Sequence, residues 1–217
     1  MRNVKLFKRK ECRILTWPGK LVLAFVFLFA FLLFLKFIPA FLSTSKPNKG
    51  GILVLDGQMP DFAVKKAIQI FESGDYKYIV TTGGKIQTGY FIAEYKSMAE
   101  FTAATFRKLG FEIDKLVVIP GGDIKRDRTY NSALSLKKWM IENEENSKQV
   151  DVLSVGSHAR RSRLLFKKAF DNEKNIGIIS IEDPAYNPRK WWESSVGARV
   201  VISEALAYFY VLMFFKG

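Results

Sequence analysis

Cysteine and histidine are almost absent from this 217-residue chain, which has one of each, Cys12 and His158. With no cysteine after position 12, no internal disulfide shapes the rest of the chain. The same scarcity argues against zinc, whose usual sites gather several Cys and His ligands. There is no G-x-G-x-x-G fingerprint and no Walker loop, so the two common glycine-rich nucleotide cradles are missing. No G-x-S-x-G elbow occurs, which leaves a Ser-His-Asp hydrolase with little support. Zinc-finger, RNA-binding and basic leucine-zipper patterns are lacking, as are internal repeats and low-complexity segments.

Acidic charge is also in short supply, and the formal net charge is +13. The first twenty residues carry Arg2, Lys5, Lys8, Arg9, Lys10, Arg13 and Lys20 against Glu11, a local net of +6 that leaves +7 for the rest. The basic excess is therefore substantially a property of the tail, and nucleic acid is not an expected partner.

What the chain does have is a long apolar run. Leu21–Leu35 is unbroken, Lys36 interrupts, and Phe37–Leu42 continues. As a helix, Leu21–Leu42 would reach roughly 33 Å, enough for a hydrocarbon core of about 30 Å. Lys36 lies toward the far end, from which its amine can snorkel to the headgroups. The basic residues before the run place the N-terminus in the cytoplasm, and everything after Ser43 outside it. A buried core helix seldom needs so many consecutive Leu and Phe residues. A cleaved signal peptide would be shorter, and Ser43-Thr44-Ser45 is a weak cleavage site. The expectation is an uncleaved, single-pass signal anchor. It divides the chain into a basic cytoplasmic tail (1–20), a span (21–42), a Ser/Lys/Pro/Gly linker (43–51) and an outer domain (52–217).

Within the outer domain apolar strands alternate with helical patterns. Ile52–Leu55, Tyr78–Thr82, Leu116–Ile119, Val150–Val155 and Ile176–Ile181 read as strands. Asp61–Ser73, Ile92–Leu109, Thr129–Asn143 and Ala159–Phe170 carry helical spacing. Such βαβ units predict a Rossmann-like three-layer α/β/α sandwich with a mostly parallel five-stranded sheet, preceded by one transmembrane helix. Ala198–Phe215 is apolar but broken by Arg199, Ser203 and Glu204. It reads as a C-terminal helix packed on the sheet and touching the membrane, rather than a second span.

In a parallel sheet of this kind ligands bind at the carboxyl ends of the strands. Four segments should meet there: Asp56-Gly57, Thr81-Thr82-Gly83-Gly84 with Glu94 following, Arg126-Asp127-Arg128-Thr129, and Ser157-His158-Ala159-Arg160-Arg161. Imidazole titrates near neutrality, which makes His158 a candidate acid or base. Asp56 could orient it, bind a metal or simply hold an Asp-Gly turn. Gly83-Gly84 permits close amide approach to an anion, although a plain tight turn needs no more. Thr129 and Ser157 read as helix N-caps whose hydroxyls could also orient a phosphate. Arg126, Arg128, Arg160 and Arg161 would clamp an anion if they face the crevice, and otherwise form a solvated surface. The cofactor is left open, a magnesium ion held by Asp56 or Glu94 with a substrate phosphate being admissible.

The ordered set Leu53-Val54-Leu55-Asp56-Gly57, Thr81-Thr82-Gly83-Gly84, Glu94, Arg126-Asp127-Arg128-Thr129-Tyr130 and Ser157-His158-Ala159-Arg160-Arg161-Ser162 resembles the YdcF-like family, the ElyC/SanA/YdcF group of bacterial envelope proteins. Trp191-Trp192-Glu193-Ser194-Ser195 resembles the tail of one branch. The likeness covers roughly Ile52–Phe215. It implies a Rossmann-like domain, often anchored in the cytoplasmic membrane, that serves cell-envelope biogenesis and handles a phosphate-bearing or nucleotide-like ligand. The chain departs from the family at two points. Asp56 stands where many members have a second glycine, and Asn131-Ser132 replaces a Glu-Asn pair. The acid–base role of that family glutamate therefore falls to Glu94 or Asp56. The resemblance leaves two expectations: an enzyme using His158, Asp56 and Glu94 on a lipid-linked or phosphorylated substrate, or a non-catalytic nucleotide- or phosphosugar-binding module of envelope assembly.

Overall fold

The computed structural model describes residues 15–123 and 126–217. It separates into two units, residues 1–37 and 38–217. The described part of the first unit is the body of helix α1 (Trp17–Leu42), which contains an 18-residue window of mean hydropathy 2.9 and whose side chains before Ile38 are mostly exposed. The last turn belongs to the second unit, where Ile38, Pro39 and Leu42 are buried. Trp17–Phe37 is thus the stretch left for a bilayer. At 1.5 Å per residue it measures about 31 Å, long and apolar enough to cross one. The expected span Leu21–Leu42 lies within α1, and its last turn is packed into the domain.

The second unit is an α/β domain. In chain order it contains β1 (Gly50–Asp56), α2 (Asp61–Ser73), β2 (Asp75–Gly83), α3 (Met98–Lys108), β3 (Leu116–Pro120), α4 (Arg128–Glu142), β4 (Gln149–Val155), α5 (Ala159–Ala169), β5 (Asn175–Ile181) and α6 (Ser195–Met213). All five strands are parallel, in the order β3-β2-β1-β4-β5. Strand side chains alternate between faces. Ile52, Val54, Val150 and Val152 pack with Leu136, Met140, Phe166 and Phe170 of the α4–α5 side. Leu53, Leu55, Ile79 and Leu153 pack with Val64, Ala67, Phe71 and Phe106 of the α2–α3 side. The expected five-stranded α/β sandwich is the observed one.

One element starts later than its spacing predicts. Residues 92–97 are loop, and α3 opens only at Met98. A reciprocal capping box fixes that start: Ser97 Oγ accepts from the Glu100 amide at 3.1 Å, and Glu100 Oε2 accepts from the Ser97 amide at 2.9 Å. Such a box satisfies two otherwise orphaned donors, and it overrides the apolar periodicity upstream.

The linker after α1 is fastened to the sheet. The Ser180 amide donates to Ser45 Oγ at 3.1 Å, Lys46 bridges Ile178 in antiparallel fashion, and Asn48 Nδ2 donates to the Asn175 carbonyl at 2.8 Å. The chain therefore runs from the C-terminal end of β5 to its N-terminal end before entering β1. The fully buried Asp151 carboxylate closes this run. It accepts from the amides of Asn48 and Lys49, each at 2.9 Å, and from the Tyr76 hydroxyl at 2.7 Å. Burial, reinforced by that carboxylate, pushes the Tyr76 hydroxyl well above its ordinary range. Gly177 is required beside it, since a Cβ there would collide with Asp151 Oδ1. An ionised carboxylate can serve three donors, whereas an amide has one acceptor oxygen and brings its own donors. Asp151→Asn should therefore destabilise the domain by about 2 kcal/mol. Thermal unfolding of the purified chain in detergent checks this, and an unchanged midpoint would contradict it.

Candidate functional site

The chain leaves β1 toward β2 on one side, then returns to β4 on the other side of β1. The carboxyl ends of β1 and β4 thus flank the topological switch point, where open α/β sheets part to admit ligands. A cleft of about 560 Å³ lies there, lined by Asp56, Gly83, Gly84, Arg128, Thr129, His158 and Arg161, with Lys85 and Asp127 adding charge. Leu165, Ala207, Tyr210 and Val211 form an apolar wall contributed by α5 and α6.

Close backbone contact builds the floor. The Gly57 amide donates to the Thr82 carbonyl and the Gly121 amide to the Gly83 carbonyl, both at 2.8 Å. Thr102 of α3 pins the turn after Asp56 through the Gly57 carbonyl at 3.0 Å and the Met59 amide at 3.2 Å. A Cβ on Gly83 would lie 2.9 Å from Met98 Cβ and 3.0 Å from Gly57 Cα, at a φ of +146°. Glycine is needed here for three strand-end turns to meet, whatever else its amides do.

The helix starts differ from expectation. The residue before α4 is Asp127, left-handed at φ 51°, and no side chain caps the helix; Thr129 sits inside the first turn and is buried. Ser157 does not cap α5 either. It lies in a short 3₁₀ turn, Gly156–His158, and its hydroxyl meets the Tyr186 hydroxyl at 3.0 Å beneath the surface. No side chain caps α5, and its first residue follows His158 directly. Two helix starts without side-chain caps border one cleft; helix N-termini carry partial positive charge, although at the α5 start the Ala159 amide is already paired with the Gly156 carbonyl.

His158 is held by a residue that the strand-end motifs do not include. Its Nδ1 lies 3.1 Å from Glu204 Oε1 on α6. Arg161 Nε donates to Glu204 Oε2 at 2.8 Å, and its Nη2 lies 3.0 Å from both Glu204 Oε1 and His158 Nδ1. One Nδ1 cannot donate to the carboxylate and accept from the guanidinium at once. We assign its proton to the bond with Glu204, because an ionised acceptor makes the stronger hydrogen bond. Nε2 is then the basic nitrogen of the ring. Burial raises the Glu204 carboxyl, but hydrogen bonds and charge from His158 and Arg161 outweigh it and bring the carboxyl down to about 2. The signal for Glu204 was present in the sequence as a lone carboxylate inside an apolar helix, a group that is costly to bury unless partnered.

Four expected site residues lie elsewhere. Arg160 turns to the end of α1, where its Nε donates to the Phe41 carbonyl and its guanidinium lies 3.9 Å from the Phe41 ring centroid. Ser157 is spent on Tyr186. Arg126 is exposed and does not line the cleft. Glu94 lines a separate depression with Tyr95, Lys96, Glu100 and Arg107 beside β3. Among the described residues no three His, Cys, Asp or Glu side chains gather as a metal site. A magnesium ion bound by these side chains alone has no ligand set.

No family model matches this chain, and no curated protein does. Among solved structures, the chain aligns with pantothenate synthetase from Thermus thermophilus at 11% identity, over 80% of this chain and 71% of that one, with a TM-score of 0.34. A likeness that remote carries no argument about the site.

The Glu204 geometry has two measurable consequences. A carboxyl whose folded pKa is depressed contributes stability that is complete above its unfolded value near 4.5 and is lost as pH falls toward about 2. Glu204→Gln should therefore flatten the loss of thermal stability between those pH values, by an amount on the order of 3 kcal/mol. Parallel acid profiles from both proteins would refute the pairing. Because His158 is the sole histidine, its ring ¹⁵N shifts are unambiguous. At alkaline pH they should report the Nδ1–H tautomer in the native chain and a mixture in Glu204→Gln.

Proposed function

We propose that this is a membrane-anchored, extracytoplasmic protein of bacterial cell-envelope biogenesis, related to the YdcF-like group. On this reading it acts by acid–base chemistry on a phosphate-bearing or lipid-linked substrate. The observation that carries the proposal is the convergence of the Glu204–His158 pair with two helix starts, neither capped by a side chain, in one strand-end cleft. Helix N-termini and guanidinium groups favour anions, and among common biological anions phosphate best suits several donors at once. The apolar wall of Leu165, Ala207 and Val211 would accompany a hydrocarbon or isoprenoid portion, so an amphiphilic phosphate fits both halves of the cleft. The basic N-terminal tail would keep the first residues in the cytoplasm of the inner membrane, with the α/β domain on the other side.

In this reading Arg128, Arg161, Lys85 and the amides at Gly83-Gly84 and the start of α4 hold the phosphate. His158 Nε2 removes a proton from an attacking water or hydroxyl, while Glu204 holds Nδ1–H and stabilises the imidazolium that forms. Asp56 faces the same space and is the remaining carboxylate on the β1 side able to exchange a proton with the leaving group.

A second reading is favoured by one observation: among the described residues the polar side-chain contacts of His158 are with Glu204 and Arg161, and no side-chain hydroxyl is aligned as its nucleophile. The same cleft would then bind a nucleotide or phosphosugar without turning it over. Phosphate release from polyprenyl phosphates, nucleotides and sugar phosphates, with and without magnesium, separates the two. The enzyme reading expects turnover that falls by about 10²-fold or more in His158→Ala and is little changed in Arg160→Ala. Silence across the panel, with thermal stabilisation by one ligand, would establish the binding module instead.

A further inference from the structure

The strand-end edge carries an apolar feature that the cleft does not use. Between β2 and α3 the chain makes an excursion whose two ends are tied together. Lys85 bridges Ser97, and the Ile86 amide donates to the Lys96 carbonyl at 3.1 Å. At its tip Phe91 and Ile92 are 96% and 92% exposed, the two most exposed large apolar side chains among the described residues. They are presented by a braced loop. Lys96 Nζ donates to the carbonyls of Tyr90 and Ala93 at 3.2 and 2.9 Å, and Lys85 Nζ lies 3.9 Å from the centre of the Tyr90 ring. Two neighbouring apolar side chains beside an aromatic ring, with Lys85 and Lys96 at the loop's base and one carboxylate, Glu94, form the pattern of an element that enters the headgroup layer of a membrane.

The position of the anchor argues that a membrane is what meets this tip. The last turn of α1 lies at the same edge. Ser45 sits beside Ser180 near the C-terminal end of β5, and Phe41 is held by Arg160 at the start of α5 and by an edge-to-face contact with Tyr208 of α6 at 5.6 Å. Because Phe37 is bonded to Ile38, a span formed by α1 must end at this edge. The loop departs from β2, three strand spacings from β5, or about 14 Å across the sheet. The cleft at β1 and β4 lies between.

We infer that the loop Lys85–Lys96 is a second membrane-contacting element, which inserts Phe91 and Ile92 into the headgroup region of the bilayer that α1 crosses. The inference rests on the reading of α1 as a span, but not on any ligand in the cleft.

The test uses the full chain with Cys12→Ser, reconstituted into vesicles of phosphatidylethanolamine and phosphatidylglycerol. Single cysteines replace Phe91, Ile92 or, as a control at the opposite edge of the sheet, Glu173, and each carries an environment-sensitive fluorophore. The expected result is blue-shifted emission at 91 and 92. Lipids spin-labelled near the headgroup should quench it several-fold more strongly than at 173. Equal quenching at all three positions would overturn the inference. So would a blue shift that follows protein concentration rather than lipid, which would assign the tip to a second copy of the chain. Release of the chain by alkaline carbonate would remove the span itself, and the inference with it. Loss of phosphate turnover or ligand binding would leave these readouts untouched.

Discussion

One carboxylate, Glu204, joins the C-terminal helix to the strand-end edge, and the cleft has its present shape because of that join. Without it, α6 would have only Gly197, Val201, Ala205 and Val211 buried against the domain, a narrow strip for so long a helix. With it, α6 supplies a wall of the cleft and the partner of its one imidazole. A charge so placed is costly to desolvate, and an ion pair of this kind is weak evidence of net stabilisation. Its value is positional. Glu204 fixes which nitrogen of His158 carries the proton and turns the Arg161 guanidinium inward.

The α/β order was legible because five short apolar runs separated by stretches of helical spacing are a strong signal for a parallel sheet covered on both faces, as is the punctuation by Gly74, Gly83-Gly84 and Gly121-Gly122. The rule that ligand loops follow the strand carboxyl ends grouped the segments that carry Asp56, Gly83, Gly84, Arg128, Thr129, His158 and Arg161, and the fold brings these residues to one cleft. Side-chain direction within a helix start was not legible. Arg160 and Arg161 are neighbours, yet a rotation of about 100° per residue sends one to Phe41 and the other into the cleft. The capping hydroxyls misled for a related reason: Ser157 had the buried Tyr186, far downstream, as a competing partner. Glu94 was displaced by the Ser97–Glu100 box, a local pattern stronger than the apolar periodicity before it. Glu204 lay outside every strand-end motif, since only the folded chain brings α6 back to β4.

The charges in the cleft nearly balance. Lys85, Arg128 and Arg161 face Asp56 and Asp127, and Glu204 compensates Arg161 from behind. Such a site does not attract anions by bulk field. It selects by placement of donors, and the two helix starts matter more to it than the overall basic charge of the chain.

The linker that runs antiparallel to β5 has a role beyond connection. An open sheet ends in two rows of unpaired amides and carbonyls, each a template for pairing with another copy. In a membrane, copies of a protein share one plane and meet often in a common orientation, which favours such pairing. Here the β5 row is occupied by the chain's own residues 45–48. The opposite edge, β3, is five residues long and ends in a proline that lacks an amide proton. The segment that follows α1 thus also seals the sheet against lateral polymerisation.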